Sequence, residues 1–169
     1  PTHDKTWCFW DHNTPPFADL IYRKWNNAEV SIAGRRSTES LDLYTYYCLR
    51  SIDFQEHVLN KLKENPRFDF LESTIEHLST PGELPILHTS SNTYQAEYIF
   101  QSCFSPWKTN KNVPHYPLIQ HFLGWDIQTT TPVFDDASFT FMDFDRSFSK
   151  GIAFIYILPW STTSALIEY

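Results

Sequence analysis

Three acidic residues fall where a carboxylate could do chemistry. Asp143 sits in Phe141-Met142-Asp143-Phe144, a run apolar on both faces that reads as an interior strand. Glu168 sits in Leu166-Ile167-Glu168; alternation puts it with Leu166 on one face, and Ala165, Ile167 and Tyr169 on the other. Asp126 follows Gly124-Trp125, and alternation groups it with Gln120 and Gln128 on a polar face. A carboxylate among apolar neighbours must be paired, protonated or functional. Burial raises its pKa, and an acid still protonated near neutrality can donate a proton. Each position also has a structural reading. Asp143 could bond to backbone or to Arg146, Glu168 could be an exposed strand-end acid, and Asp126 could belong to a solvated face, the reading the sequence favours for it.

Other chemistries find less support. The seven histidines show no metal pattern; His115 and His121 could share a strand face, but no third ligand is near. No serine or cysteine lies in a nucleophile motif, and Cys8, between Trp7 and Phe9, reads as a packing residue. Cys8, Cys48 and Cys103 are odd in number and widely spaced, which suits a reducing compartment better than a disulfide framework. The net charge is −7 with scattered basic residues, so no basic stripe exists to bind nucleic acid. Four glycines, Gly34, Gly82, Gly124 and Gly151, are too far apart to build a dinucleotide-binding turn.

The elements that must carry these residues are mostly strands. At 169 residues the chain has the length of one domain, and 17% aromatic residues imply a large apolar core or an apolar pocket. Trp125, Phe141, Phe154, Tyr156 and Trp160 fit either use. Residues 1–20 read as loop with aromatic anchors, and 20–32 as a strand pair closed by a turn at Gly34-Arg35-Arg36-Ser37. Ser51 to Asn65 reads as the best helix, capped by Ser51 or Asp53, with Phe54, Val58 and Leu62 on one stripe and Asn65-Pro66 as its stop. Phe68 to Leu78 reads as a strand, Thr80-Pro81-Gly82 as a turn, and Ser90-Ser91-Asn92 as a hairpin tip before a buried Tyr98-Ile99-Phe100. Residues 105–117 read as a surface loop. Strands follow at 118–129, 138–145 and 152–158, with a fourth from Ala165. The longest apolar run, Ile152 to Trp160, is too short to span a bilayer, and no signal peptide is visible.

Three blocks of sequence carry a resemblance. The C-terminal block reads H-F-L-G-W-D-I, then F-M-D-F-D, then F-I-Y-I-L-P-W-S-T-T-S-A-L-I-E-Y; the N-terminal block reads H-D-K-T-W-C-F-W and P-F-A-D-L-I-Y-R-K-W; L-R-S-I-D-F lies between. In this order they resemble the bacterial lycopene beta-cyclases, flavoproteins that close the ends of a linear carotenoid into rings. The resemblance implies a mixed α/β (α+β) fold, with residues 1–169 a central fragment of an FAD/NAD(P)-binding Rossmann-like flavoprotein that contains an antiparallel substrate-binding sheet. The dinucleotide fingerprint and the C-terminal part would lie outside it. It implies reduced FAD as cofactor, NAD(P)H as electron donor, lycopene as substrate and a cytoplasmic protein that takes substrate from the membrane surface. By the same resemblance Asp143, Glu168 and Asp126 become catalytic candidates, and Arg50 would lie near the flavin, where a surface charge or an ion pair with Asp53 is the structural alternative. Asp4-Lys5-Thr6-Trp7 stands where the family has D-R-T-W, which makes Lys5, Thr6 and Trp7 cofactor-binding candidates, though lysine lacks the planar fork of arginine. The implied reaction protonates an alkene, lets an internal alkene attack the cation and then releases a proton. Another flavoenzyme of the superfamily, such as a monooxygenase or prenyl reductase, and a non-catalytic carotenoid-binding module are the alternatives.

Overall fold

The computed structural model describes residues 5–102, 120–145 and 151–169. Two compact units divide the chain: one comprises Pro1–Glu64 with Ile119–Tyr169, the other Asn65–Leu118. The described structure is mostly sheet with one α-helix.

Within the first unit two sheets face each other. The smaller has the order β1(Thr6–Asp11)-β5(Thr45–Arg50)-β2(Ile21–Trp25) and is antiparallel. Aromatic and β-branched residues dominate β1 and β5, the residue types that favour a pleated, half-buried surface. The larger sheet has the order β4(Arg35–Ser40)-β3(Asn27–Ile32)-β10(Phe139–Asp143)-β11(Ile155–Ser161)-β12(Ser164–Glu168)-β9(Gly124–Gln128). Only the β3–β10 pair is parallel; the others are antiparallel.

The core between the sheets is aromatic. Phe139 is fully buried, stacks on Tyr46 at 4.3 Å and touches Trp25 at 5.6 Å and Trp10 at 5.9 Å. Leu158 joins this core from the larger sheet and is also fully buried. A small polar island accompanies these rings: the Tyr46 and Tyr156 hydroxyls hydrogen-bond at 2.8 Å, and Cys8 faces Cys48 across β1 and β5. Burial pushes both tyrosine hydroxyls well above their ordinary pKa, so they remain neutral donors.

Helix α1(Ser51–Lys63) follows β5 without a loop. It begins after Arg50 with no side-chain cap; neither Ser51 nor Asp53 takes the capping role expected of it, because Asp53 turns back to pair with Arg50. The helix ends at Lys63, ahead of Asn65-Pro66. Phe54 anchors it edge-on to Trp7 at 5.1 Å and to Phe17 at 4.9 Å.

In the second unit, β6(Ile75–Ser79), β7(Ile86–Thr89) and β8(Thr93–Gln95) form an antiparallel sheet. The expected hairpin tip at Ser90-Ser91-Asn92 is present between β7 and β8. His77 and His88 are paired across β6 and β7 and stack at 4.0 Å.

Several expectations need correction. Residues 6–11 are a strand rather than loop, since pairing with β5 supplies the partner that the sequence could not show. The strand expected over Phe68 to Leu78 starts only at Ile75. Tyr98 and Phe100 are 76% and 96% exposed, the reverse of the expected buried run; no strand forms there to turn them inward. The surface loop expected at 105–117, with His115, Cys103 and Arg146, lies outside the described residues.

Candidate functional site

The two sheets differ in width, and that difference leaves an opening. Strands are about 4.8 Å apart, so three strands cannot cover six. Trp10 of β1 reaches Phe141 of β10, and Tyr22 of β2 reaches Trp160 of β11. Among the described residues no strand of the smaller sheet lies beyond β2, which leaves the inner faces of β12 and β9 uncovered by it. A cleft of about 690 Å³ lies there.

One wall is a single face of the larger sheet. In the β9–β12 ladder Glu168 pairs with Gly124, Leu166 with Asp126 and Ser164 with Gln128, and all six line the cleft. Paired residues point to the same side, so Glu168 and Asp126 are diagonal neighbours, about 7–8 Å apart between Cα atoms. The opposite wall comes from the smaller sheet and its approaches: Lys5, Thr6, Trp7, Tyr22 and Arg50. Thr6 and Arg50 are register partners, and the Ser51 N–H donates to the Lys5 carbonyl at 2.9 Å, which holds the two segments together.

The cleft carries distinct electrostatics. Glu168 is half-buried, and loss of hydration raises its pKa above the ordinary glutamate value, which favours the protonated acid. Asp126 accepts a hydrogen bond from the Trp160 indole N–H at 3.0 Å. Trp160 meets Tyr22 edge-on at 5.2 Å, and the Arg50 guanidinium lies 4.6 Å from the centre of the Tyr22 ring. Arg50 also donates two hydrogen bonds to Asp53, at 2.6 and 3.1 Å, which hold it firmly in its charged form.

The whole chain, residues 1–169, matches the model of the family described as lycopene cyclase protein. The chain belongs to this family. No curated protein and no solved structure matches it. Membership of the lycopene cyclase family makes carotenoid cyclisation its activity class and a carotenoid its substrate.

Against the cyclase family background, the cleft gathers most of the residues singled out from sequence. Glu168, Asp126, Arg50, Lys5, Thr6 and Trp7 all line it, though they come from both ends of the chain. Asp143 does not. It pairs with Ile155 on β11, whereas Glu168 pairs with Tyr156, and adjacent strand residues face opposite sides. Asp143 therefore faces away from the sheet surface that lines the cleft, and its carboxylate accepts the Asp145 backbone N–H at 2.9 Å.

Two participants escaped the sequence reading. Tyr22 looked like one more residue of an alternating strand; its place under Arg50 depends on the β2–β5 pairing. Trp160 fitted core or tunnel equally, and only the fold turns its N–H toward Asp126. Among the described residues no cluster of three or more His, Cys, Asp or Glu could hold a metal ion, and no helix is long and apolar enough to cross a membrane.

The residues present fit one end of a flavin. Arg50, Lys5 and the rings of Trp7 and Tyr22 offer cationic and aromatic partners suited to a planar, electron-rich group. Among the described residues the cleft offers no glycine turn for the pyrophosphate end: of the four glycines only Gly124 lines it, in a strand and not at a helix N-terminus.

Proposed function

We propose that this cyclase closes the ends of lycopene into beta-ionone rings by proton-initiated, non-redox carbocation chemistry. The observation that carries this reading is the placement of Glu168 and Asp126 on one face of one cleft, with Trp160 between the sheets beside them. Protonating an alkene requires an acid that holds its proton until the substrate arrives, and desolvated Glu168 suits that role. Its proton adds to the terminal double bond. The internal alkene then attacks the cation, forming the ring bond and moving the positive charge into the ring. Loss of a ring proton restores an alkene, and Asp126, oriented by Trp160, is the acceptor. One proton enters and one leaves, so no net oxidation occurs.

The aromatic faces stabilise the cation without trapping it, at about 0.5–2 kcal/mol each. Reduced FAD, kept reduced by NAD(P)H, supplies additional negative charge when bound. Arg50, Lys5, Thr6 and Trp7 would hold its ring end, and polypeptide outside residues 1–169 would supply the Rossmann-like dinucleotide turn. The cleft volume lies within the range of small-molecule sites, which suits an end group of the carotenoid with the rest of the chain extending outward. A membrane surface would deliver so apolar a substrate.

Expression of the full-length protein in lycopene-accumulating bacteria, with pigments separated by chromatography, tests the reading. Cyclic carotenoids are expected, and Glu168→Gln should cut their rate of formation at least about a hundredfold. Oxygen uptake or stoichiometric consumption of nicotinamide by the purified protein would replace the non-redox mechanism with flavin redox chemistry.

A further inference from the structure

Glycines occupy four positions, and the structure gives them different reasons to be glycine. Gly34 and Gly151 adopt φ of +75° and +83°, a left-handed backbone that disfavours side chains, and each has open space where a Cβ would point. Gly124 is the opposite case. Its φ lies outside that left-handed region, and it opens strand β9, next to the paired Leu123 and Tyr169 backbones. A Cβ there would meet Glu168 Cγ at 3.1 Å, Glu168 Oε1 at 3.3 Å and Leu166 Cδ1 at 3.4 Å. Space, not backbone conformation, is what glycine supplies.

The same register explains which way Glu168 leans. On β11 its partner is Tyr156, a large ring committed to the core through Tyr46; on β9 its partner is Gly124, which offers no side chain. The carboxyl group therefore lies over the bare backbone of β9, on the wall it shares with Asp126.

We infer that Gly124 is a positioning residue for the Glu168 carboxyl, keeping β9 bare so that this side chain can lie across it and face the cleft. The inference rests on the assignment of Glu168 as the acid in the proposed cyclisation. The nearest atoms are those of a flexible side chain, so Gly124→Ala should shift Glu168 by a few tenths of an ångström while the backbone ladder stays in place.

Steady-state kinetics of the flavin-loaded, full-length protein test this, using Gly124→Ala, Glu168→Gln and the double variant. Gly124→Ala should lower kcat about three- to tenfold, less than the hundredfold that a full ångström of misplacement costs, with KM within about twofold. The high-pH limb of its kcat profile should move to lower pH, because a displaced Glu168 regains water. In the Glu168→Gln background, Gly124→Ala should cost nothing further. Gly124→Ser carries the same Cβ and repeats the test if the alanine variant expresses poorly. Wild-type kcat and pH profile in Gly124→Ala, alongside an inactive Glu168→Gln, would overturn the positioning role and leave the acid assignment standing. An additive loss in the double variant would also overturn it. Normal turnover by Glu168→Gln would instead remove the acid assignment and the positioning role together.

Discussion

Asp143 and Glu168 close two strands of the same six-stranded sheet, yet their surroundings have little in common. Asp143 has the more apolar sequence around it, but its carboxylate bonds to the Asp145 backbone on the face away from the cleft. On that face Thr140 donates to Glu29, which also pairs with Arg36, so the neighbourhood is a polar network. Glu168 ends its strand with a chain of mixed residues, but it faces the cleft; like Asp143 it is half-buried, and among the described residues no hydrogen bond reaches its carboxyl group. Local apolarity is thus a poor guide to which acid faces the cleft. The face a strand presents, and what the opposing sheet leaves uncovered, decide it.

Substitution can break this comparison. The largest effect expected is at Glu168: the glutamine variant should lose at least about a hundredfold in cyclisation rate, the low end of what a general acid contributes. Asp143→Ala should stay within about twofold of wild type in product yield while losing about 1 kcal/mol of stability with its backbone hydrogen bond. Reversed outcomes would move the chemistry to the other face of the sheet.

Trp160→Phe sharpens the picture within the cleft. It retains a ring against Tyr22 and Trp25 but removes the N–H that holds Asp126. Turnover should fall about tenfold, as expected for one hydrogen bond to a charged group, with little change in KM. An unchanged kcat would show that Asp126 needs no orienting.

The smallest expected effect is on stability. Glu168 has a folded-state pKa above its ordinary 4.5, so the folded protein binds more protons than the unfolded one between those two values. Its stabilising contribution is complete below the ordinary value and is lost as pH rises through the folded one. Denaturant midpoints of wild type should therefore drop relative to Glu168→Gln as pH rises through that window; parallel curves would mean that Glu168 is as well hydrated as in the unfolded chain.

Much of the scaffold was legible from local pattern. The helix from Ser51, the turn at Gly34, the hairpin at Ser90-Ser91-Asn92 and the strands around Trp125, Phe141 and Tyr156 all appear, because alternation and turn residues encode them directly. Strand β1 was not legible: its residues are aromatic on both faces, and only pairing with β5 and packing on Phe54 separate the two sides. Six of the seven candidate site residues share the cleft, a convergence that no spacing along the chain displays.

The sequence alone determined which residues could act: the alternation that put Glu168 with Leu166, the lack of a nucleotide-binding glycine turn, and the family pattern itself. Tertiary structure decided which of them meet. Phe139, Phe141 and Asp143 alternate along the chain and should share a face. Three steps along β10 from Thr140 to Asp143 match only two along β11 from Ile157 to Ile155, and this bulge turns Asp143 away from the face that Phe139 occupies. A bulge depends on pairing with neighbouring strands, and a cleft on how many strands each sheet has; both are properties of contacts between distant segments, which local sequence does not encode.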